Sequence, residues 1–154
     1  MKNLMAIAAA TLLLISCNET DSKTEVITSK DITKLEKQLN LKPAQPDSVQ
    51  YKLTINNNSF GTVPGPSDYY LEGVLYYNDS IFKRIKEEYN NVDYNTPGFK
   101  KEAFNFKWLP QNIKNELNSS PENYSGHPDL FFNRNRITQL WLLKNKVLIL
   151  SYTN

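Results

Sequence analysis

Cysteine and histidine are almost missing from these 154 residues: there is one of each, Cys17 and His127. A lone cysteine excludes an internal disulfide, so the stability of the fold must come from packing. The multiple His or Cys ligands that make a specific zinc site are lacking as well, and neither a metal nor another cofactor is expected. Glycine is scarce at 5 residues, and Gly61 has none of the companion glycines that cradle a phosphate, which argues against a nucleotide loop. Charge of one sign is lacking too. Lys and Arg number 18 against 16 Asp and Glu, a formal net charge of +2, with no basic run to follow a phosphate backbone, so nucleic acid is not an expected partner. No apolar run approaches the length of about 20 residues that crosses a hydrocarbon core.

What is present is a chain 40% hydrophobic and 12% aromatic, enough to bury one core of ordinary size. Its first seventeen residues are set apart. Lys2 supplies a positive start, Leu4 to Ile15 is apolar apart from Thr11, and Leu14-Ile15-Ser16-Cys17 closes the run with a small residue before the cysteine. That is the pattern of a secretory signal, residues 1–16, rather than a structural element. Here the chain resembles the bacterial lipoproteins, whose lipobox ends in a cysteine that is acylated and becomes the mature N-terminus. The resemblance covers these residues only. It implies a lipid on Cys17, attachment to a membrane through that lipid, and, because Asn18 rather than aspartate follows, the outer membrane, with periplasmic and surface faces both open. More than one acyl chain, at about 0.8 kcal/mol per buried methylene, makes such anchoring lasting.

Residues 17–28 are mostly polar with no clear apolar period and are expected to be a solvated tether. The domain then spans 29–154. A first helix is expected over 29–40, capped by Thr28 or Ser29, with Ile32, Leu35 and Leu39 on one stripe, followed by a Pro-containing link at 41–47. Val49, Tyr51, Leu53 and Ile55 alternate with polar residues, which reads as a half-buried strand. Tyr69 to Tyr77 is apolar on both sides and reads as a strand inside the sheet, with Gly73 marking a bulge or close packing. Asn78, Asp79 and Ser80 offer caps for a helix whose stripe is Ile81, Phe82, Ile85 and Tyr89. Phe104, Phe106 and Trp108 alternate as in a strand, Pro110 opens a short helix carrying Ile113 and Leu117, and Ile137 to Tyr152 forms a hairpin around Lys144-Asn145-Lys146. So apolar a hairpin is expected to lie centrally in the sheet. The sum is a single α+β domain, a mostly antiparallel sheet of about five strands with two or three helices packed on it.

Two stretches invite a functional reading. Asn57 to Asp68 holds two prolines and two glycines and excludes a regular element; a loop of about a dozen residues is often functional, so Asn58, Phe60, Gly61, Pro64, Pro66 and Asp68 are the candidate binding residues. The second, Ser119 to Asp129, contains His127. A Ser125–His127–Asp129 triad is disfavoured, since residues two apart in a turn rarely converge and no Gly-x-Ser-x-Gly elbow surrounds Ser125. A Glu122–His127–Asp129 metal set has too few specific ligands. His127 is therefore a weak candidate and no catalytic residue is assigned. The expected role is non-enzymatic protein binding of an inhibitor or immunity type. The alternative is glycan or small-ligand binding, with Tyr69, Tyr70 or Trp108 as a stacking platform, and an envelope hydrolase ranks below both.

Overall fold

A computed structural model of the protein describes residues 23–57, 67–90, 99–121, 123–124 and 137–153. Its strands are β1 (Lys23–Ser29), β2 (Ser48–Asn57), β3 (Ser67–Tyr76), β4 (Phe99–Lys100), β5 (Asn123–Tyr124), β6 (Ile137–Leu143) and β7 (Lys146–Tyr152). Its helices are α1 (Ile32–Glu36), α2 (Asp79–Asn90) and α3 (Gln111–Asn118), with a 3-10 turn at Lys101–Phe104. Five strands form one sheet in the order β1-β2-β3-β7-β6, each pair antiparallel, and β4 and β5 make a small second ladder. This is the expected single α+β domain.

Alternation sorts the side chains of the main sheet onto two faces. On the first, Val49, Tyr51, Leu53, Leu71, Leu75, Leu140, Val147 and Ile149 pack against Leu35 and Leu39 from the α1 region, Leu41 and Ala44 from the link, and Ile85 from α2. On the second, Val74, Trp141, Leu143, Leu148 and Leu150 pack against Phe104, Phe106 and Leu109 and against Ile113 and Leu117 of α3. Among the described residues the second cover reaches β3, β7 and β6 only. The second face of β1 and β2 has no counterpart in either buried cluster.

Several expectations need correction. Residues 23–28 are not tether: they open β1, whose seven residues pair without interruption with Asn57 back to Tyr51. Four of those seven are Thr, Val or Ile, a strand signal hidden by their polar setting. Ser29 ends that strand, so the first helix begins later, at Ile32, with the Asp31 carboxylate accepting from the Lys34 N–H at 3.1 Å. Its last turn runs on through Leu39 N–H to Leu35 C=O at 3.0 Å. The link at 41–47 is held to the body by Arg84, which donates to the Pro43 carbonyl at 2.7 Å, and by Asp47 N–H to Tyr76 C=O at 2.8 Å.

Phe104, Phe106 and Trp108 do not form a strand. Turn bonds from Asn105 N–H to Glu102 C=O, Phe106 N–H to Phe104 C=O and Leu109 N–H to Phe106 C=O coil the segment, and its rings are stacked or tilted together instead of alternating. Gly73 makes no bulge, because register is unbroken from Tyr51 through Gly73 to Ile149; it is a close-packed position where a Cβ would meet Tyr51 Cβ at 3.6 Å. The closing hairpin is only half central: β7 pairs with β3, which leaves β6 outermost. Even so, Leu140 and Trp141 show 0% exposure, so this end of the sheet does not present an apolar strand to water.

The α2 helix begins as the sequence suggests, with the Asn78 side-chain carbonyl accepting from Ile81 N–H at 3.0 Å. In front of it lies Tyr77, buried in the first-face cluster with its hydroxyl lacking a hydrogen-bond partner among the described residues. Burial raises the ionisation of that phenol above the ordinary 10.0. Above that pH the unfolded chain releases a proton that the folded chain keeps, so the stability contributed at lower pH is lost as pH rises. Tyr77→Phe is expected to hold or raise stability at neutral pH, by about 1 kcal/mol, and to make the alkaline loss shallower. Urea midpoints at pH 7 and above pH 10 check both; a variant that is less stable at pH 7 contradicts the account.

Candidate functional site

The second face reads as a ladder of cross-strand rows. Val26, Thr54, Tyr70 and Tyr152 form one row across β1, β2, β3 and β7, and Thr28, Lys52, Glu72 and Leu150 form the next. Strand spacing of about 4.8 Å puts Val26 roughly 10 Å from Tyr70 along its row. Among the described residues the exposed large hydrophobics are Val26 at 54% and Tyr70 at 40%, and both stand in this row. Two apolar side chains left in water while the other large apolar side chains among the described residues are at least partly buried, and in line with each other, mark this end of the second face as a candidate surface.

A wall rises beside it. The turn-rich segment from Glu102 to Trp108 stands over β3 and, with Lys52, Tyr70 and Glu72 as floor, encloses an open groove of about 540 Å³. The wall is fixed by its own anchors: Phe104 is fully buried against Trp141 with ring centroids 5.6 Å apart, and Lys101 donates to the Asn118 carbonyl at 3.3 Å. Trp108 is half-buried, stacks on Phe106 at 5.9 Å and 20°, and donates its indole N–H to Glu72 Oε2 at 2.6 Å. That bond joins wall to floor across 36 residues of sequence. Trp108→Phe should therefore cost roughly 1.5–3 kcal/mol, the range for a hydrogen bond to a charged group, and lower the urea midpoint accordingly.

Tyr70 stacks loosely on Tyr152, centroids 6.3 Å apart and planes 25° apart. Its phenol is held above the usual tyrosine value by burial first, then by the negative charge of Glu72 and by Tyr152. At neutral pH it is a hydroxyl that both donates and accepts. Lys52 and Glu72 face each other directly across β2 and β3, so the floor carries one charge of each sign beside the ring. A neutral ring, a cation, a carboxylate and the Asn105 amide thus line the groove together, offering donors and acceptors beside an aromatic face. Among the described residues no three His, Cys, Asp or Glu side chains are placed to hold a metal ion. No known family, curated protein or solved structure matches this chain. The site must speak through its own chemistry.

Of the residues singled out from sequence, Tyr69 and Tyr70 part company. Tyr69 is 7% exposed on the first face, its hydroxyl 3.5 Å from Ser151 Oγ, so it cannot serve as a stacking platform, whereas Tyr70 and Trp108 line the groove. Asp68 belongs to β3 rather than to a loop; it is half-buried and accepts from Thr153 Oγ1 at 3.4 Å. Asn57 likewise closes β2, its side chain accepting from Ser67 Oγ at 2.8 Å. Asn58, Phe60, Gly61, Pro64, Pro66, His127 and Cys17 lie outside the described residues, as do Glu122, Ser125 and Asp129. Val26, Lys52 and Glu72 were not singled out. The polar side of the β2 alternation carried the signal for Lys52; the signal for its pairing with Glu72 needed the register.

Proposed function

We propose that this chain is a lipid-anchored lipoprotein of the cell envelope, held in the outer membrane through Cys17, whose domain is a non-enzymatic binding module for a protein partner of the inhibitor or immunity type. The anchoring half of this reading is supported by the Leu14-Ile15-Ser16-Cys17 ending of an apolar leader. None of the described helices is long and apolar enough to cross a membrane. Metabolic labelling with a fatty-acid probe should mark the native chain and leave Cys17→Ser unmarked; label on both would end the lipoprotein reading.

The binding half rests on one observation, the row in which Val26 on β1 and Tyr70 near the start of β3 stand exposed next to a charged, aromatic-walled groove. A flat strip with an aromatic at its centre and charges around it has the make-up of a protein-recognition surface, where Tyr and Trp anchor and charged side chains set orientation. The test uses the intact protein as bait in envelope extract, alongside a bait carrying Lys52→Glu. A partner that the native bait recovers and the charge-reversed bait does not supports the proposal; identical recoveries from both overturn it. A second reading, glycan binding, is favoured by one specific feature, the placing of Tyr70 and Trp108 in the same groove with Glu72 and Asn105. Titration with envelope polysaccharide fragments addresses it directly.

A further inference from the structure

The two ends of the five-stranded sheet are not alike. At the β6 end, Thr138 is 6% exposed and Leu140 and Trp141 are 0% exposed. At the β1 end, Thr24, Glu25, Val26 and Thr28 are all exposed, Val26 at 54%. An open edge strand is a row of unpaired N–H and C=O groups ready to accept another strand, and proteins ordinarily blunt such edges with proline, bulges, mid-strand lysines or very short strands. The β1 sequence, Lys-Thr-Glu-Val-Ile-Thr-Ser, has no proline, bulge or mid-strand lysine and is not short; its one mid-strand charge is Glu25, which pairs with Ile55 on the inner side. It runs seven residues in unbroken register with β2, its one lysine is at the end, and Thr24, Val26, Ile27 and Thr28 are good strand formers.

We propose that the outer edge of β1 pairs antiparallel with β1 of a second copy of this chain, giving a two-fold dimer with a continuous ten-stranded sheet. The register follows from the side chains. Residues directly opposite in an antiparallel pair share a face, so a two-fold axis normal to the sheet must pass through a residue position. With the axis at Val26, all seven residues are used: Val26 meets Val26, Thr24 meets Thr28, Glu25 meets Ile27 and Lys23 meets Ser29. The threonine and valine pairs are favourable cross-strand neighbours, and no like charges are opposed. With the axis at Glu25, by contrast, two carboxylates stand opposite each other, and axes nearer either end leave part of the strand unpaired. The arrangement is isologous, and it buries the valine that a monomer leaves in water. It also joins the two uncovered faces into one broad strip with Tyr70 of each copy on the same side. This pairing stands whether or not the partner reading above is correct, because it is read out as oligomeric state alone.

The full chain in detergent, measured by light scattering over a dilution series, is expected to pass from dimer to monomer. Val26→Lys, which changes an exposed residue and leaves the fold intact, places two ammonium groups opposite each other at the axis and is expected to weaken association by about tenfold or more. In a Cys17→Ser background, where an introduced thiol is the sole one, Val26→Cys should yield a disulfide-linked dimer on mild oxidation, while Asn112→Cys, exposed on α3 over the β7–β6 end of the sheet, should not. A monomer at every concentration overturns the proposal. So does a dimer indifferent to Val26→Lys, or cross-linking at position 26 to a different protein in place of a second copy.

Discussion

Trp141→Ala is expected to bring the protein to the edge of unfolding. The indole has no exposed surface; it lies against Phe104 at 5.6 Å and donates its N–H to Ser120 Oγ at 2.9 Å. It thus ties β6 to the 3-10 turn on one side and to the end of α3 on the other, the two elements that cover the second face. Truncating a buried tryptophan costs about 3–5 kcal/mol through lost transfer energy and the cavity left behind. Domains of this size have only about 5–15 kcal/mol in all. The loss falls on a chain whose lone cysteine offers no internal disulfide to compensate. Urea unfolding of the native chain and the variant measures it. Trp141→Phe, which keeps a ring against Phe104, should lose much less, and a drop below about 1 kcal/mol in the alanine variant would mean that the second face is not packed as described.

The fold was legible where hydrophobic period and burial agree. Val49 to Ile55 alternates because one face of β2 is covered and the other is wet, and Tyr69 to Tyr76 is apolar on both sides because β3 lies between β2 and β7 with cover above and below. The Asn78 cap and the stripe behind it found α2 for the same reason. Legibility failed where the same residue types serve another geometry. Phe104, Phe106 and Trp108 are spaced as in a strand, yet local turn bonds curl the backbone so that the rings gather over β3. For β1, an edge strand with both sides largely wet carries little apolar period, so its threonines resemble a tether. The candidate site was visible only in pieces. Tyr70 and Trp108 could be named as rings, but which tyrosine of the Tyr69–Tyr70 pair faces outward is decided by strand parity, and a one-residue change of register exchanges them. The approach of Trp108 to Glu72 is a contact between distant segments that no local pattern encodes.

Tyr70→Ala is expected to remove most of the binding while leaving the fold nearly untouched. The ring is 40% exposed and its one aromatic contact among the described residues, with Tyr152, is loose, so little folding energy rests on it. In a protein interface the same ring is a central anchor, flanked by Lys52 and Glu72 and backed by the Trp108 wall, and truncating such an anchor costs about 2 kcal/mol or more, a loss of about 30-fold in affinity. Tyr69→Ala makes the contrast. It deletes a 7%-exposed ring on the opposite face, so it should lower the urea midpoint instead of acting on the binding surface itself. A third variant separates the two kinds of ligand. Asn56 is exposed on the uncovered face, on the strand beside Tyr70, and does not line the groove. A protein lying across the strip must meet a bulky charge there, so Asn56→Arg should weaken it along with Tyr70→Ala; a sugar confined between Tyr70 and Trp108 should lose affinity with Tyr70→Ala and Trp108→Phe and be indifferent to Asn56→Arg. If Tyr70→Ala binds as well as the native chain, both ligand readings fail together, because each requires the aromatic ring that β3 leaves open to water at the mouth of the groove.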